Sequence, residues 1–566
     1  MTTKRWIAKE IPDAIIVGQL EKDLKVSHMI ATLIAQRGIS TYEEARIYFS
    51  PKKKDLFDPF LMKDMEKAVH RIHEAIVKNE KILVYGDYDV DGTTSVAIVF
   101  RFFSSIYQNL LFYVPDRFHE GYGISMEGID YAIEQDVNLI IALDCGIKEV
   151  EKVKYAASHH IDVIICDHHT PGAELPEAWA ILNPKQIACT YPYNELSGCG
   201  IGFKLIQAYT EAYKIQFDPF TLIDFVAVSI ASDIVPMTGE NRTLCFLGLE
   251  KINHDPSIPF MAMKEQLSIE KELSVTDLVF IIGPRLNASG RITHARTTVE
   301  FLLATTFEGA ISQMALIDHN NVERKDIDHQ TLLEALQIIE NDEILREKKS
   351  TVLYDPSWHK GVIGIVASRV IEHYYKPTIL LTESEGYLTG SARSIRDFNL
   401  YQALEKCSDL LEKFGGHQYA AGLSLKQDKF DAFCAKFESI VSESVTEEMM
   451  IPVLDYDLEL DPDLITFSFI RTLLRFGPFG PGNMKPRFVT RNVKVSGEVR
   501  IVGNKHLKFN IQAGKNKQLG AIGFDLSFYA EHIDKGQLFD ICYVVEENQW
   551  NNNVYIQLNI KDIHLH

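Results

Sequence analysis

A chain of 566 residues is too long for one hydrophobic core, and at roughly 150 residues per domain it implies three or four. With 46% apolar residues several cores can be filled, yet no apolar run reaches the ~20 residues that span a bilayer. The net charge of −20 argues against a polyanionic substrate unless local patches bind it. The charged start, MTTKRWIAKEIPDA, lacks the apolar centre of a secretory signal. The eight cysteines are scattered with no CxxC pair, which suits buried thiols in a reducing compartment better than disulfides or zinc. A cytoplasmic protein without a membrane partner is expected.

Residues 1–75 read as a polar, helical segment with a Lys-rich break at Pro51–Lys54. Short apolar runs then alternate with helical patterns. The runs are Ile82–Tyr85, Leu111–Val114, Leu139–Leu143 and Val163–Cys166, with helices predicted over Thr94–Ser105 and Lys148–Ser158. Fully apolar strands separated by helices indicate a parallel sheet covered on both faces. From Ala310 to Asp355 there is neither Gly nor Pro, and Ile317, Ile327, Leu332, Leu336 and Ile339 fall roughly on one helical face. A continuous helix of about 25 residues here would be ~37 Å long, enough to join two lobes across a cleft, although a surface helix of one lobe fits equally well. A second α/β pattern runs from Thr351–Tyr354 through Ile379–Thr382 to Gly422–Leu423. Beyond about 450 the strands Phe488–Val495, His506–Gln512, Leu519–Phe524 and Phe539–Glu546 suggest a small five-stranded barrel such as an OB-fold. Within it, Pro481–Gly520 carries nine Lys/Arg against one acid, Glu498.

The most informative segment is ILVYGDYDVDG, residues 82–92: an apolar strand, a glycine, then Asp87, Asp89 and Asp91. Ligands in open α/β sheets bind at the carboxyl ends of strands. Asp144 follows the strand LIIAL and Asp167-His168-His169 follows VIIC, so three strand ends carry acids or histidines to one sheet edge. Carboxylates packed together raise one another's pKa values unless a cation joins them, and oxygen ligands with an imidazole suit Mn²⁺ or Mg²⁺. A calcium loop is excluded by Ile98 at the twelfth position from Asp87 and by the preceding strand.

GDYDVDG (86–92), LDCG (143–146), DHH (167–169) and SDIVP (232–236) resemble the successive motifs of the DHH phosphoesterases. A narrower resemblance, to the RecJ family of single-strand DNA exonucleases, is carried by PDRFHEGYG (115–123), GPRLNASGR (283–291), GVIGIVASR (361–369), GSARS (390–394), GGHQYAAG (415–422) and GPFGPGN (477–483). That resemblance implies an α/β chain with an N-terminal helical segment (1–75) and a DHH parallel-sheet catalytic domain (76–250). A helical region with a connecting helix (251–345) leads to a DHHA1 α/β domain (346–447), the long helix joining the two domains around a cleft. An OB-fold β-barrel (448–566) follows. The implied activity is stepwise 5′→3′ hydrolysis of single-stranded DNA to 5′-mononucleotides, in repair and recombination. A helicase and a single-strand-binding protein are implied as partners; nothing in the sequence calls for an oligomer.

By the same resemblance, Asp89, Asp91, Asp144, His168 and Asp233 are metal ligands, with Asp144 bridging two Mn²⁺ or Mg²⁺ ions and Asp87 supplementing one site. Tyr85 stands where smaller-substrate relatives place a metal-binding histidine, so one of the two sites is expected to be weaker. Two cations ~3.5–4 Å apart can bind one phosphate and acidify a bridging water. His169 is expected either to orient the scissile phosphate or protonate the leaving 3′-oxygen, or only to support a ligand by a hydrogen bond. Arg117, Ser391 and Arg393 match the positions that bind the 5′-terminal phosphate, and guanidinium groups suit that task. Tyr122 is placed to stack on a terminal base. Arg285, Asn287 and Arg291 are expected in a glycine-flanked loop near phosphates, with His417 reaching the cleft from the second lobe. Lys485–Lys517, with Phe488 and Phe509 interleaved, is expected to guide the strand, and GPFGPGN to form a structural turn into the barrel. Competing readings are a DHH oligonucleotide or cyclic-dinucleotide phosphodiesterase, disfavoured by the basic barrel, and an inactive nucleic-acid scaffold, disfavoured by the near-complete acid set.

Overall fold

The structure, a computed structural model, describes residues 4–513, 517–533, 537–550 and 553–566. It divides into two compact units, one drawn from residues 46–326 and 478–484, the other from 1–45, 327–477 and 485–566. Within the N-terminal segment, where only helices are predicted, β1 (Arg5–Ala8) is a strand that pairs in parallel with residues 453–456. Its four residues carry no local pattern; the strand exists because of a distant partner.

The first unit is organised by an all-parallel sheet of β2 (Ile82–Gly86), β3 (Leu110–Tyr113), β4 (Leu139–Leu143), β5 (Asp162–Cys166) and β6 (Ala180–Leu182), in the order β3-β2-β4-β5-β6. Side chains alternate between faces with period two, so each apolar run feeds two cores. Ile82, Val84, Ile141, Leu143 and Ile164 join the core beneath the Val90–Ser104, Gly198–Tyr213 and Ile223–Ser232 helices. Leu83, Tyr85, Ile140 and Ile165 join the opposite core with Ile129 and Ala156. The register aligns Gly86 with Leu143 and Leu143 with Cys166. Asp87, Asp144 and Asp167, each one residue further on, therefore leave the sheet side by side.

The predicted long helix spans 35 residues, Phe307–Asn341, or about 52 Å at 1.5 Å per residue. The second unit holds the sheet β10-β11-β9-β8-β7, made of β7 (Thr351–Tyr354), β8 (Thr378–Ser384), β9 (Tyr387–Arg393), β10 (Lys413–Gly416) and β11 (Ala420–Leu425). Only β7 and β8 are parallel. After β12 (Val453–Tyr456), a seven-stranded barrel sheet follows. Its strands are β13 (Leu458–Glu459), β14 (Phe488–Val493), β15 (Arg500–Val502), β16 (His506–Ala513), β17 (Lys517–Gly523), β18 (Phe539–Trp550) and β19 (Asn553–Leu565). A bridge between Val495 and Ile511 links the strand leaving β14 to β16 and closes the sheet on itself. β1 is fastened here: Trp6 stacks on His564 at 3.8 Å and donates to Asp562 Oδ2 at 2.8 Å.

Candidate metal centre

Four predicted ligands converge in the first unit. His168 Nε2 lies 3.2 Å from Asp144 Oδ1, 3.6 Å from Asp233 Oδ2 and 3.8 Å from Asp91 Oδ2. Asp91, His168 and Asp233 offer ligand atoms all within 4.8 Å of one another, as do Asp144, His168 and His169. Asp87 is fully buried; its Oδ1 accepts from the Gly123 amide at 3.1 Å, while Oδ2 has no hydrogen-bond partner among the described residues. Asp89 stands outside both groupings, capping the Val90–Ser104 helix through the Gly92 amide at 3.0 Å. Among the described residues Tyr85 makes no hydrogen bond to the acids. Its hydroxyl accepts from the Ser125 amide at 3.0 Å and donates to the Gly123 carbonyl at 3.1 Å, holding the 120–125 turn to β2.

Asp91 sits in a cradle that the motif reading missed. The amides of Gly198 and Cys199 donate to its Oδ2 and Oδ1 at 2.6 and 2.8 Å, and Ser229 Oγ donates to Oδ1 at 2.7 Å. The two amides open the Gly198–Tyr213 helix, whose positive end favours a carboxylate. Gly198 also lets Asp144 approach: a Cβ there would fall 2.7 Å from the Asp144 Cβ and 2.8 Å from its Oδ1. The signal was available as the run Ser197-Gly-Cys-Gly200, a cap followed by two glycines, but nothing in the sequence ties it to Asp91.

Asp167, the first residue of DHH and given no role of its own by the motif, is the hinge of the neighbouring network. Its Oδ1 accepts from the His169 ring at 2.7 Å and from the His169 amide at 3.0 Å, and its Oδ2 from the Ile147 amide at 2.9 Å. The other His169 ring nitrogen lies 2.9 Å from the Tyr122 hydroxyl, which donates to the Asp144 carbonyl at 3.1 Å. Both His169 nitrogens are thus engaged. Burial alone would raise Asp167, but the His169 hydrogen bond and the charges of both histidines hold it well below the usual carboxylate range.

The remaining predicted residues divide. Arg117 makes no ion pair among the described residues; its guanidinium lies 4.5 Å from the Tyr88 ring centroid and Nη1 is buried without a hydrogen bond. Tyr122 is 45% exposed, edge-on to Tyr88 at 6.1 Å. The expected glycine-flanked loop of Arg285, Asn287 and Arg291 is instead the helix Gly283–Ile292, because its glycines serve packing: Gly290 faces the Tyr88 carbonyl at 2.8 Å from a would-be Cβ. Arg285 is committed to Asp318 at 3.0 Å and to the Ile281 carbonyl, whereas Asn287 Oδ1 is buried without a hydrogen-bond partner among the described residues. In the second unit Arg393 donates to Ser391 Oγ at 3.0 Å and to Ser368 Oγ at 3.2 Å, beside Gly364 of the Ile363–His373 helix. His417 is exposed between β10 and β11. Phe488 and Phe509 are not part of a strand-guiding surface, being buried in the barrel core. Much of the basic stretch is also neutralised, with Lys485 on Glu546, Arg491 on Asp540 and Glu459, Arg500 on Glu498 and Lys505 on Asp525. Lys494 and Lys508 are exposed, and Lys515 lies outside the described residues. In GPFGPGN a turn is closed between Gly480 and Asn483, and residues 478–484 group with the first unit.

The residues fit divalent cations. Burial first, then neighbouring aspartates, pushes Asp87, Asp144 and Asp233 well above the usual carboxylate range. Asp91 is pushed up to about 6 by burial and the charge of Asp89, against the hydrogen bonds of its cradle. A group of buried carboxylates around one imidazole, with unsatisfied oxygens, is what a hard cation relieves. A raised carboxyl pKa means the folded chain keeps the proton longer than the unfolded chain. The Asp91 contribution to stability is therefore complete below pH 3.8 and is lost as pH climbs through about 6. Asp167, shifted the other way, loses its contribution only as pH falls below the ordinary carboxylate range. In EDTA the protein is expected to melt at a lower temperature at pH 7 than at pH 5, and Mn²⁺ to remove that difference. Equal melting temperatures in EDTA, or indifference to Mn²⁺, would count against the centre.

Family models match over residues 81–230 (DHH family, N-terminal domain), 347–443 (DHHA1 domain) and 456–562 (RecJ OB domain). The chain is 37% identical over 565 residues to the single-stranded-DNA-specific exonuclease RecJ of Bacillus subtilis (strain 168), covering 99% of this chain and 70% of that protein. The chain belongs to the RecJ family. The fold agrees with that of RecJ from Thermus thermophilus in complex with Mn²⁺, with a TM-score of 0.86, 24% identity and coverage of 99% of this chain and 80% of that one. An exonuclease RecJ bound to manganese matches 68% of this chain and 96% of its own, at 29% identity and a TM-score of 0.59. Mn²⁺ and Mg²⁺ are the ions held in solved RecJ structures, and the acid and histidine groups here suit the same ions. Among the described residues no helix is long and apolar enough to cross a membrane.

Proposed function

We propose that this chain hydrolyses single-stranded DNA stepwise from its 5′ end to 5′-mononucleotides, serving repair and recombination in the cytoplasm. The observation that carries the reading is the convergence of Asp91, Asp144, His168 and Asp233 at one sheet edge in a RecJ-family chain. Those residues, with Asp87 and Asp89 alongside, would hold two Mn²⁺ or Mg²⁺ ions. Bound divalent cations would supply Lewis-acid charge to the scissile phosphate and lower the pKa of water.

The chain's own residues do the positioning. The Gly198 and Cys199 amides and Ser229 fix Asp91, leaving one Oδ2 direction for a ligand. Asp167 and Tyr122 hold the His169 ring from both sides, which supports reading His169 as the group that orients the site rather than as a freely exchanging acid. Arg117, with Nη1 buried and open, suits a phosphate oxygen, and Tyr122 keeps enough exposed ring to meet a base. In the second unit Arg393, Ser391 and Ser368 meet near the start of a helix, a setting that suits a terminal phosphate. A helicase that exposes single strands and a single-strand-binding protein are the partners such an activity calls for, with the chain acting as a monomer.

The test is digestion of 5′-labelled oligonucleotides with Mn²⁺. Label is expected as mononucleotide from single strands and not from blunt duplex; preferential cleavage of dinucleotides, or no cleavage, would overturn the reading.

A further inference from the structure

The Ile223–Ser232 helix ends at Asp233, and Ile234, next in the chain, adopts φ +60°. Left-handed backbone suits Gly, Asn and Asp; a β-branched side chain there collides with its own carbonyl. Among the described residues Ile234 is the only β-branched residue in that region. The residue is also 62% exposed, so a large apolar residue is held largely in water on a strained backbone. The turn around it is anchored. The Pro236 carbonyl accepts from Asn241 at 3.1 Å and Tyr193 at 3.2 Å, Met237 donates from its amide to the Pro481 carbonyl at 2.7 Å, and Val235 and Met237 are buried. Glycine or asparagine would meet this geometry without strain and without apolar exposure. Two local preferences are violated at one residue, beside an aspartate 3.6 Å from His168. Such conflicts, held in place by a rigid surround, concentrate where a residue meets a ligand.

We propose that Ile234 contacts substrate, forming an apolar rest for the nucleoside that adjoins the scissile phosphate; this rests on the exonuclease reading above. Adjacent residues are ~3.8 Å apart at Cα, so Ile234 is within reach of whatever Asp233 helps to hold. The moiety is the nucleoside rather than a phosphate for two reasons. A hydrocarbon side chain offers nothing to an anion, and the negative carbonyl end of the Ile223–Ser232 helix disfavours one. Deoxyribose and base faces are apolar in every nucleotide, so the contact would be indifferent to sequence.

The test uses the full chain with Ile234→Gly and Ile234→Val, comparing melting temperature, Mn²⁺ affinity, and KM and kcat on 5′-labelled single strands. The glycine variant is expected to melt no lower than wild type, by about 2 °C higher if strain dominates, and to bind Mn²⁺ equally. Its KM should rise about ten-fold, the scale of one lost side-chain contact, while the valine variant stays within about two-fold. A glycine variant with unchanged KM overturns the proposal, as does one whose melting temperature and Mn²⁺ affinity fall together, which would mark a purely structural residue. If wild type leaves single strands uncut, the exonuclease reading itself fails; if wild type cuts and the glycine variant matches it, only the role of Ile234 falls.

Discussion

Asp144→Asn is expected to lower turnover by on the order of 10³-fold or more while leaving the metal-free protein no less stable. The carboxylate is buried at the end of β4, 3.2 Å from His168, and the charges of Asp91, Asp89, Asp233 and Asp87 all bear on it. Removing its charge relieves repulsion in the absence of metal. It also removes an anionic ligand from the centre, so the variant should lose the rise in melting temperature that Mn²⁺ gives wild type. Asparagine is the informative substitution, because Asp144 sits at φ +59° and asparagine tolerates that backbone where alanine would strain. Single-turnover cleavage with Mn²⁺, together with melting curves in EDTA and in Mn²⁺, separates the two effects. A variant cleaving at the wild-type rate would remove Asp144 from the centre.

Gly198→Ala is expected to cost about 10²-fold in turnover although residue 198 has no side chain to contribute. The added methyl would lie 2.7, 2.8 and 2.9 Å from Asp144 Cβ, Oδ1 and Cγ, closer than real contacts allow. Either Asp144 shifts, or the helix start shifts and takes with it the Gly198 and Cys199 amides that hold Asp91. At least one of Asp144 and Asp91 is displaced in either case. Overpacking of this kind typically costs about 1–3 kcal/mol, a few degrees of melting temperature in a unit of this size. Weaker Mn²⁺ affinity by calorimetry would accompany the loss. Gly18→Ala is the control: nothing lies within 4 Å of its would-be Cβ, and in the Ala14–Leu24 helix alanine should be neutral or slightly stabilising.

Sequence reasoning reached furthest where a pattern is local. The strands β2, β4 and β5 are short apolar runs ending at an acid, and their register follows from a parallel sheet buried on both faces. The long helix was legible from an uninterrupted stretch without Gly or Pro, though its 35 residues exceed the length that the apolar face suggested. Strand β19 was missed despite the alternation of Ile556, Leu558 and Ile560, because polar residues between them weaken the run. Other features are set by tertiary partners. The helix Gly283–Ile292 carries two glycines that read as loop, yet they mark close packing against Ser232 and Tyr88. Phe488 and Phe509 sit among basic residues in sequence, but alternation in their strands turns them inward. Within the candidate site, the acids and histidine that converge are legible as motifs. Their supports are not, since Ser229 and Gly198 reach Asp91 across 138 and 107 residues.

The pairing of β1 with β12 also fixes when the chain can finish folding. At about 5–20 residues per second, strand Arg5–Ala8 emerges roughly 20–90 s before its partner at residues 453–456 exists. The Trp6 ring waits longer still, until His564 and Asp562 have been synthesised. Through that interval the nascent chain carries an unpaired edge with an indole on it, a feature chaperones and proteases respond to. A product truncated between residues 456 and 562 would keep the β12 partner but leave the Trp6 indole without His564 and Asp562. β1 thus gains its strand partner at residues 453–456, and its indole is covered only in a chain translated through the barrel.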